Sequence, residues 1–452
     1  MNSHIFREYD IRGLVDKDLT EDVAETLGLG LGTRIRQAGG HMLVLGRDCR
    51  ESSTRFRHAL ARGVTATGID VYDIGVVPTP LTYFAANTLP ADGLAMITGS
   101  HNPPEYNGFK LGVGKTTLHG SEIQELRTLI ENGRFERGEG HARDFDIVTP
   151  YTHFVRQTVP IGRKGMKVVI DAGNGVGGFV AVPLFQSMGF DVVPLFCEMD
   201  ARFPNHHPDP TVVENMEALV REVKRQKAPA GIAYDGDADR LGVVDDQGEI
   251  RWGDQLMILF AREVLKEVPG SAIVGEVKCS MTLYEDIARR GGRPIMWKAG
   301  HSLIKAKMKE ENAMLAGEMS GHIFFRHRYF GFDDAIYSSA RLLEILTHTD
   351  RKLSELLSDV PKTFASPEIR VECPEDVKFS LVRRAVDYFR DRKYEIVDVD
   401  GVRVVFPDGW GLIRASNTQP ILVLRFEAKT QQRLDEIRKL LEGVLDELKR
   451  ST

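Results

Sequence analysis

The stretch KVVIDAGNGVGGFVAVPLFQSMGFDVVPLF (167–196), continued by AGIAYDGDADR (230–240), carries the fold in outline. A β-branched apolar run leads through small residues into a helical period over about 178–188. A second apolar run follows, and a third ends in a charged loop. Strands apolar on both faces that alternate with helices indicate a largely parallel sheet covered on both sides. Working outward, the same plan appears before and after this stretch. Upstream are MLVLGRD (42–48), a helix over about 52–67, GIDVYDIG (68–75) and LAMITGSHN (94–102). Downstream are SAIVGEVKCS (271–280), a helix over about 281–290, GGRPIMW (291–297) and AMLAGEMSGH (313–322). In each case the last run opens into a loop of small, polar or charged residues, where functional groups collect on an α/β scaffold.

The remainder differs. SPEIRVEC (366–373), a helix near 376–391, the alternating runs up to RASNTQP (414–420), ILVLRFEA (421–428) and a closing amphipathic helix read as an antiparallel α+β unit. The expectation is an α/β protein of three similar mixed α/β domains (1–148, 149–251 and 252–362) plus a C-terminal α+β domain (363–452). The 452 residues alone suggest about three domains at roughly 150 each; one loop per lobe makes four.

The formal net charge is −6, which argues against nucleic acid as the principal partner but not against a small anionic substrate. Cys49, Cys197, Cys279 and Cys373 form no CxxC and no zinc spacing, as expected of free thiols in a reducing compartment. The N-terminus MNSHIFREYDIRG lacks the apolar core of a signal peptide, and no run approaches a transmembrane length. A cytoplasmic monomer with no membrane partner is expected.

Two motifs invite other readings. GVGKTT (112–117) resembles a phosphate-binding P-loop, but the position that requires the first glycine is Phe109. Gly173, Gly175 and Gly178 form a GxGxxG opening a helix, with Glu198 following the next strand about 20 residues on. Taken alone this suggests an NAD-dependent dehydrogenase, but it leaves the other loops unexplained.

DGDADR (235–240) places Asp235, Asp237 and Asp239 at alternate positions after a strand. Three carboxylates so close repel unless a cation sits among them, and hard oxygen ligands suit Mg²⁺ or Ca²⁺. An EF-hand fails, because its sixth and twelfth positions would be Arg240 and Asp246. Arg240 beside the carboxylates favours a neighbouring phosphoryl group. TGSHNPPEYNGFK (98–110) holds Ser100, which could carry a phosphoryl group if the acidic triplet faces it, and ends in Lys110. GEMSGH (317–322) offers Glu318 and Ser320, expected to point the same way along an extended stretch and to suit adjacent sugar hydroxyls, with His322 beyond. RASNTQP offers Arg414, Ser416, Asn417 and Thr418 as a phosphate cradle.

Together the four loops, from FREYDIRG (6–13) to RASNTQP, resemble the α-D-phosphohexomutase family and its bacterial phosphomannomutase/phosphoglucomutase branch over essentially the whole chain. The resemblance implies four domains around a central cleft. It implies a phosphoserine at Ser100, with Mg²⁺ held by Asp235, Asp237, Asp239 and the seryl phosphate. Glu318 and Ser320 would contact sugar hydroxyls, and the RASNTQP loop the substrate's non-reacting phosphate. Tyr9, Arg12, Lys110, Arg240, Lys278, His301 and His322 match cleft-lining positions. Lys110 and His301 are the candidate acid/base groups, one for each half-reaction. The implied activity is reversible interconversion of hexose 1-phosphate and hexose 6-phosphate, of mannose and of glucose. It would run through a hexose 1,6-bisphosphate that is both intermediate and activator. If Glu318 and Ser320 read two neighbouring equatorial hydroxyls that exchange when the sugar turns over, the C2 hydroxyl is weakly read. Phosphoglucosamine mutase is the nearer alternative, but those enzymes typically read SGTEP where this chain reads SNTQP. A silent sugar-phosphate binder should lack the nucleophile or the metal triplet, and both are present. One departure is Ala238, where many relatives have glycine; a positive φ there would be strained.

Overall fold

In this computed structural model residues 2–417 and 419–450 are described. The chain divides into two compact units, one of Met1–Leu256 with Ser320–Leu356, the other of Met257–Met319 with Leu357–Thr452.

The first unit contains two sheets built on one plan. The apolar run of the opening stretch forms the strand Lys167–Asp171, flanked in parallel by Asp191–Leu195 and Ala230–Tyr234. Leu241–Asp245 then returns antiparallel to Ala230–Tyr234, and Ile250–Arg251 closes the edge. In the other sheet Met42–Arg47 is flanked in parallel by Asp70–Val76 and Gly93–Ile97, and Tyr106–Val113 returns antiparallel to Gly93–Ile97. Ile11–Leu14 adds to the far side of that return strand, with Arg12 opposite Gly108. Gly93–Ile97 and Ala230–Tyr234 are buried at every position, which explains their unbroken apolar sequences.

The second unit repeats the parallel triplet with Arg293–Trp297, Ala272–Glu276 and Leu315–Gly317. Its remaining sheet is antiparallel, running from Glu395–Val397 through Val402–Phe406 and Gly409–Ala415 to Ile421–Ala428. The helices Glu375–Asp391 and Gln431–Arg450 supply Leu381, Phe389, Ile437 and Leu441 to the core of that sheet. Arg403, 2% exposed, stacks on Trp410 at 3.6 Å and donates to the carbonyls of Val277 and Cys279 at 2.6 and 2.8 Å. Five donors on a planar group let one buried cation serve an aromatic face and two main-chain acceptors together.

The repeat therefore places three polar loops in equivalent positions. The Ser100 loop leaves Gly93–Ile97, the acidic loop leaves Ala230–Tyr234, and the Glu318 loop leaves Leu315–Gly317. These are equivalent strands of three equivalent sheets, and each loop lies at the carboxyl end, where ligands gather on open α/β sheets. Among the described residues no helix is long and apolar enough to cross a membrane. All four cysteines are free.

Candidate active site

Ser100 is 4% exposed and has φ +48°, a left-handed conformation that a non-glycine residue adopts only when its surroundings fix it. Its N–H donates to Thr98 Oγ1 at 2.8 Å. Its Oγ donates to Asp235 Oδ2 at 2.9 Å and lies 3.0 Å from His101 Nδ1. Burial, then the nearby Arg240 and Arg12, holds the His101 ring well below its usual range, so it is neutral. Gly99 and Gly236 let the chain pass: a Cβ at Gly99 would stand 2.4 Å from Arg50 Nε, and one at Gly236 2.4 Å from the Ser100 carbonyl oxygen.

Asp235, Asp237 and Asp239 are all buried, with ligand oxygens within 4.8 Å of one another. Asp235 Oδ1 accepts the N–H groups of Asp239 and Arg240, both at 3.1 Å. Asp237 Oδ2 accepts from Thr79 Oγ1 at 2.5 Å and from Lys110 Nζ at 2.9 Å, and Asp239 Oδ2 accepts from Lys110 Nζ at 2.5 Å. Asp237 Oδ1 and Asp239 Oδ1 are buried with no hydrogen-bond partner. Two orphaned carboxylate oxygens in a buried cluster of three acids and one lysine fit a divalent cation bound through oxygen. Burial, with the charges of Asp239 and Asp237, pushes Asp235 well above the carboxylate range. Burial also acts to raise Asp237, but Lys110 overrides it and holds that group low. Burial opposes the charged form of Lys110, yet Asp237 and Asp239 raise it well above its usual value, so it is an ammonium here.

Arg240 Nε donates to His322 Nε2 at 3.0 Å, while His322 Nδ1 faces Asp333 Oδ2 at 3.0 Å. Burial disfavours the charged ring, and Asp239 and Asp333 favour it with a net upward shift. The donor on Nε2 needs a lone pair there, and that contact decides for the neutral ring protonated on Nδ1. Arg12 donates to Asn102 Oδ1 in the Ser100 loop and to Asp10 Oδ2, both at 2.6 Å. Tyr9 lies two residues ahead of the strand Ile11–Leu14. The first unit thus brings Ser100, Lys110, the acidic triplet, Arg240, His322 and Arg12 into one connected network.

In the second unit Lys278 Nζ faces Glu368 at 3.3 Å and Glu276 at 3.8 Å. Burial works against its charge, and these carboxylates raise it. Arg425 fixes the Lys278 carbonyl at 2.7 Å. Arg414 donates to Asp400 Oδ2 at 3.0 Å, which also accepts the Ala299 N–H at 3.1 Å. Glu318 Oε1 accepts the Gly300 N–H at 2.6 Å, beside His301 at the start of the helix His301–Glu310. Ser416 Oγ accepts the Gln419 N–H at 3.2 Å. Asn417 continues that loop, and Thr418 lies outside the described residues.

One expectation is corrected. Glu318 and Ser320 are not on an extended stretch: the strand ends at Gly317 and residues 319–320 form a turn, so strand alternation does not set their directions. The two misleading motifs resolve as well. GVGKTT is a hairpin joining Tyr106–Val113 to Thr116–Thr117, with Gly114 at φ +66°. In the GxGxxG segment the second glycine serves a close approach of the chain's own backbone: a Cβ at Gly175 would be 2.5 Å from the Gly236 carbonyl oxygen, which also accepts the Val176 N–H at 3.1 Å.

Ala238 has φ +56° and is fully buried, so the positive φ that the sequence raised as a source of strain is present. The left-handed backbone costs alanine about 1–2 kcal/mol, offset by about 0.8 kcal/mol for its buried methyl and by the lower entropy of its unfolded chain. Ala238→Gly is therefore expected to change stability by less than about 1 kcal/mol in urea unfolding. Ala238→Val adds a β-branched side chain to the same backbone and is expected to lose more than about 2 kcal/mol. Equal effects of the two would contradict the strain argument.

Family models cover most of the chain. Those described as phosphoglucomutase/phosphomannomutase alpha/beta/alpha domains I, II and III match residues 3–137, 149–248 and 252–364, and the C-terminal domain model matches 368–443. A phosphomannomutase/phosphoglucomutase of Pseudomonas aeruginosa is 46% identical over 441 residues, 98% of this chain and 95% of the relative. A phosphoglucomutase of Neisseria meningitidis is 45% identical over 446 residues, 98% of this chain and 96% of the relative. The crystal structure of a phosphoglucomutase/phosphomannomutase family protein from Burkholderia thailandensis aligns with a TM-score of 0.94 at 42% identity, covering 99% of this chain and 98% of the other.

Proposed function

The chain belongs to the phosphoglucomutase/phosphomannomutase family, and on that premise we propose how its residues work: it is an isomerase that interconverts hexose 1-phosphates and hexose 6-phosphates, with Ser100 as the phosphoryl carrier. The observation behind this is the delivery of the Ser100 hydroxyl, on a left-handed backbone, to a buried three-carboxylate cluster at 2.9 Å.

In the forward half-reaction a sugar hydroxyl attacks the phosphorus of phosphoserine. The new sugar O–P bond forms as the Ser100 Oγ–P bond breaks, giving a hexose 1,6-bisphosphate. The sugar hydroxyl gives up its proton and Ser100 Oγ takes one back. Lys110 and His301 are assigned as the proton carriers, one for each half-reaction. The ammonium of Lys110, paired with Asp237 and Asp239, is in the form that donates. The neutral His101 ring, 3.0 Å from Ser100 Oγ, is a further group placed to hold a proton at that oxygen. Asp235, Asp237 and Asp239 would hold Mg²⁺, which when bound neutralises charge on the transferring phosphoryl group. Arg12 and Arg240 are suited to phosphoryl oxygens, and Arg414 with Ser416, Asn417 and Thr418 to the distal phosphate. Turnover of the bisphosphate then returns its other phosphate to Ser100.

Glu318 and Ser320, with Lys278 and His322, are assigned to the sugar, and weak reading of the C2 hydroxyl accommodates both glucose and mannose. The test is a coupled assay started separately from glucose 1-phosphate and mannose 1-phosphate. Values of kcat/KM within about 10-fold of each other are expected, since one misread hydroxyl in a permissive site discriminates only modestly. A preference above about 100-fold sinks the dual reading, and no turnover of either sugar sinks the assignment.

A further inference from the structure

We propose that Arg50 is a positioning residue for phosphoryl transfer, a buried guanidinium that sets the loop carrying Ser100 by holding four of its main-chain carbonyls. Arg50 is 2% exposed and begins the helix Glu51–Thr65 as its N-terminal cap residue. Its Nη2 donates to the carbonyls of Ser100 and Asn102 at 3.0 and 2.5 Å, and its Nη1 to those of Pro103 and Tyr106 at 2.6 and 3.0 Å. The remaining donor, Nε, goes to Asp48 Oδ2 at 3.2 Å. All five N–H groups are thus committed, four of them to one loop.

The clamp is anchored from behind. Asp48 also accepts the Arg50 N–H at 3.0 Å, the Gly99 N–H at 3.0 Å and the Ser53 hydroxyl at 2.5 Å. Phe203 packs on the guanidinium at 5.1 Å. Gly99 leaves room for Arg50 Nε where a Cβ would collide. The loop so held contains both Ser100, at positive φ, and Asn102, which receives Arg12. One buried cation thereby fixes the nucleophile against Asp235 and aligns the loop with Arg12. A lysine keeps the charge but not the planar fork, and cannot reach four acceptors.

The inference rests on Ser100 being the phosphoryl carrier, and the test separates the two. Full-length Arg50→Lys is assayed from glucose 1-phosphate, with thermal melting and intact-mass measurement of phosphate transferred to the protein from glucose 1,6-bisphosphate. In folded protein kcat is expected to fall about 100-fold, the scale of a misplaced reacting group. KM should stay within about 3-fold, and phosphorylation of Ser100 should slow in step with kcat. A purely architectural role would lower the melting temperature and leave kcat of the folded fraction unchanged. Should Arg50→Lys not fold, Asp48→Asn loosens the anchor while keeping the guanidinium, and about a 10-fold fall in kcat is expected on loss of the charge-assisted bond. A kcat within about 3-fold of wild type in the variant that folds overturns the role of Arg50. An active Ser100→Ala would instead overturn the reading of the site.

Discussion

Ser100→Ala is expected to abolish mutase turnover, with kcat/KM for glucose 1-phosphate falling by on the order of 10⁴-fold or more, the scale of a removed nucleophile. The same variant should show no phosphate adduct by intact-mass spectrometry after incubation with glucose 1,6-bisphosphate, whereas wild type should carry one that maps to Ser100. The fold should survive. Alanine suffers the same left-handed backbone as serine at φ +48°, and the loop's anchors are main-chain contacts from Thr98 and Arg50 that do not involve Oγ. The hydroxyl contributes one hydrogen bond to Asp235, whose other oxygen still accepts two N–H groups. Stability should therefore change by no more than about 1.5 kcal/mol. A variant that folds, binds and still turns over at wild-type rate would move the carrier role to another residue. Retained phosphorylation without Ser100 would do the same.

The chemistry of this site was legible in sequence to the extent that it lies in contiguous loops. DGDADR points to a cation because three carboxylates at alternate positions repel one another unless positive charge sits among them. Its equivalence with the Ser100 loop follows from the repeat, since both leave the third parallel strand of their sheets. What could not be read is the support that arrives from distant sequence. Arg50 follows a strand with ordinary flanks, and only folding brings its guanidinium to four carbonyls at 100–106. Thr79 opens a helix and looks like any N-terminal threonine, yet its hydroxyl lies 2.5 Å from Asp237. Asp333 sits next to Asp334, the cap of the helix Ala335–Thr347, and only the structure separates the capping aspartate from the one facing His322. His101 was visible beside Ser100, but its neutrality comes from burial and two arginines. Glu318 and Ser320 were recognisable by type, while the turn that follows Gly317 defeats an argument from strand alternation.

Asp235→Asn should separate stability from activity, raising the first in metal-free protein and lowering the second. In chelator-treated protein three buried carboxylates are set against the single ammonium of Lys110. Asp235 carries most of the resulting strain, because burial and the charges of Asp239 and Asp237 all oppose its ionised form. An asparagine keeps an oxygen for the N–H groups of Asp239 and Arg240, and its amide can donate to the Ser100 hydroxyl where the carboxylate accepts. Removing the ionisable group without removing the hydrogen bonds should stabilise the metal-free protein by about 1 kcal/mol or more, a rise of roughly 1–2 °C in Tm at this chain length. With Mg²⁺ added, the order should change. Wild type should gain stability in proportion to the logarithm of cation concentration, about 2.7 kcal/mol at 100 times the dissociation constant. The variant, one anionic ligand short, should gain less at every concentration, and its kcat should fall by about 10²–10³-fold, as for loss of a group that stabilises transferring charge. Calorimetric melting with chelator and across a Mg²⁺ series, beside the coupled assay, reads all three quantities. If the variant melted below wild type in chelator, the carboxylates would not be in conflict. If Mg²⁺ stabilised both proteins equally, Asp235 would not be a ligand, and the cation would have to be held by the orphaned oxygens of Asp237 and Asp239 alone.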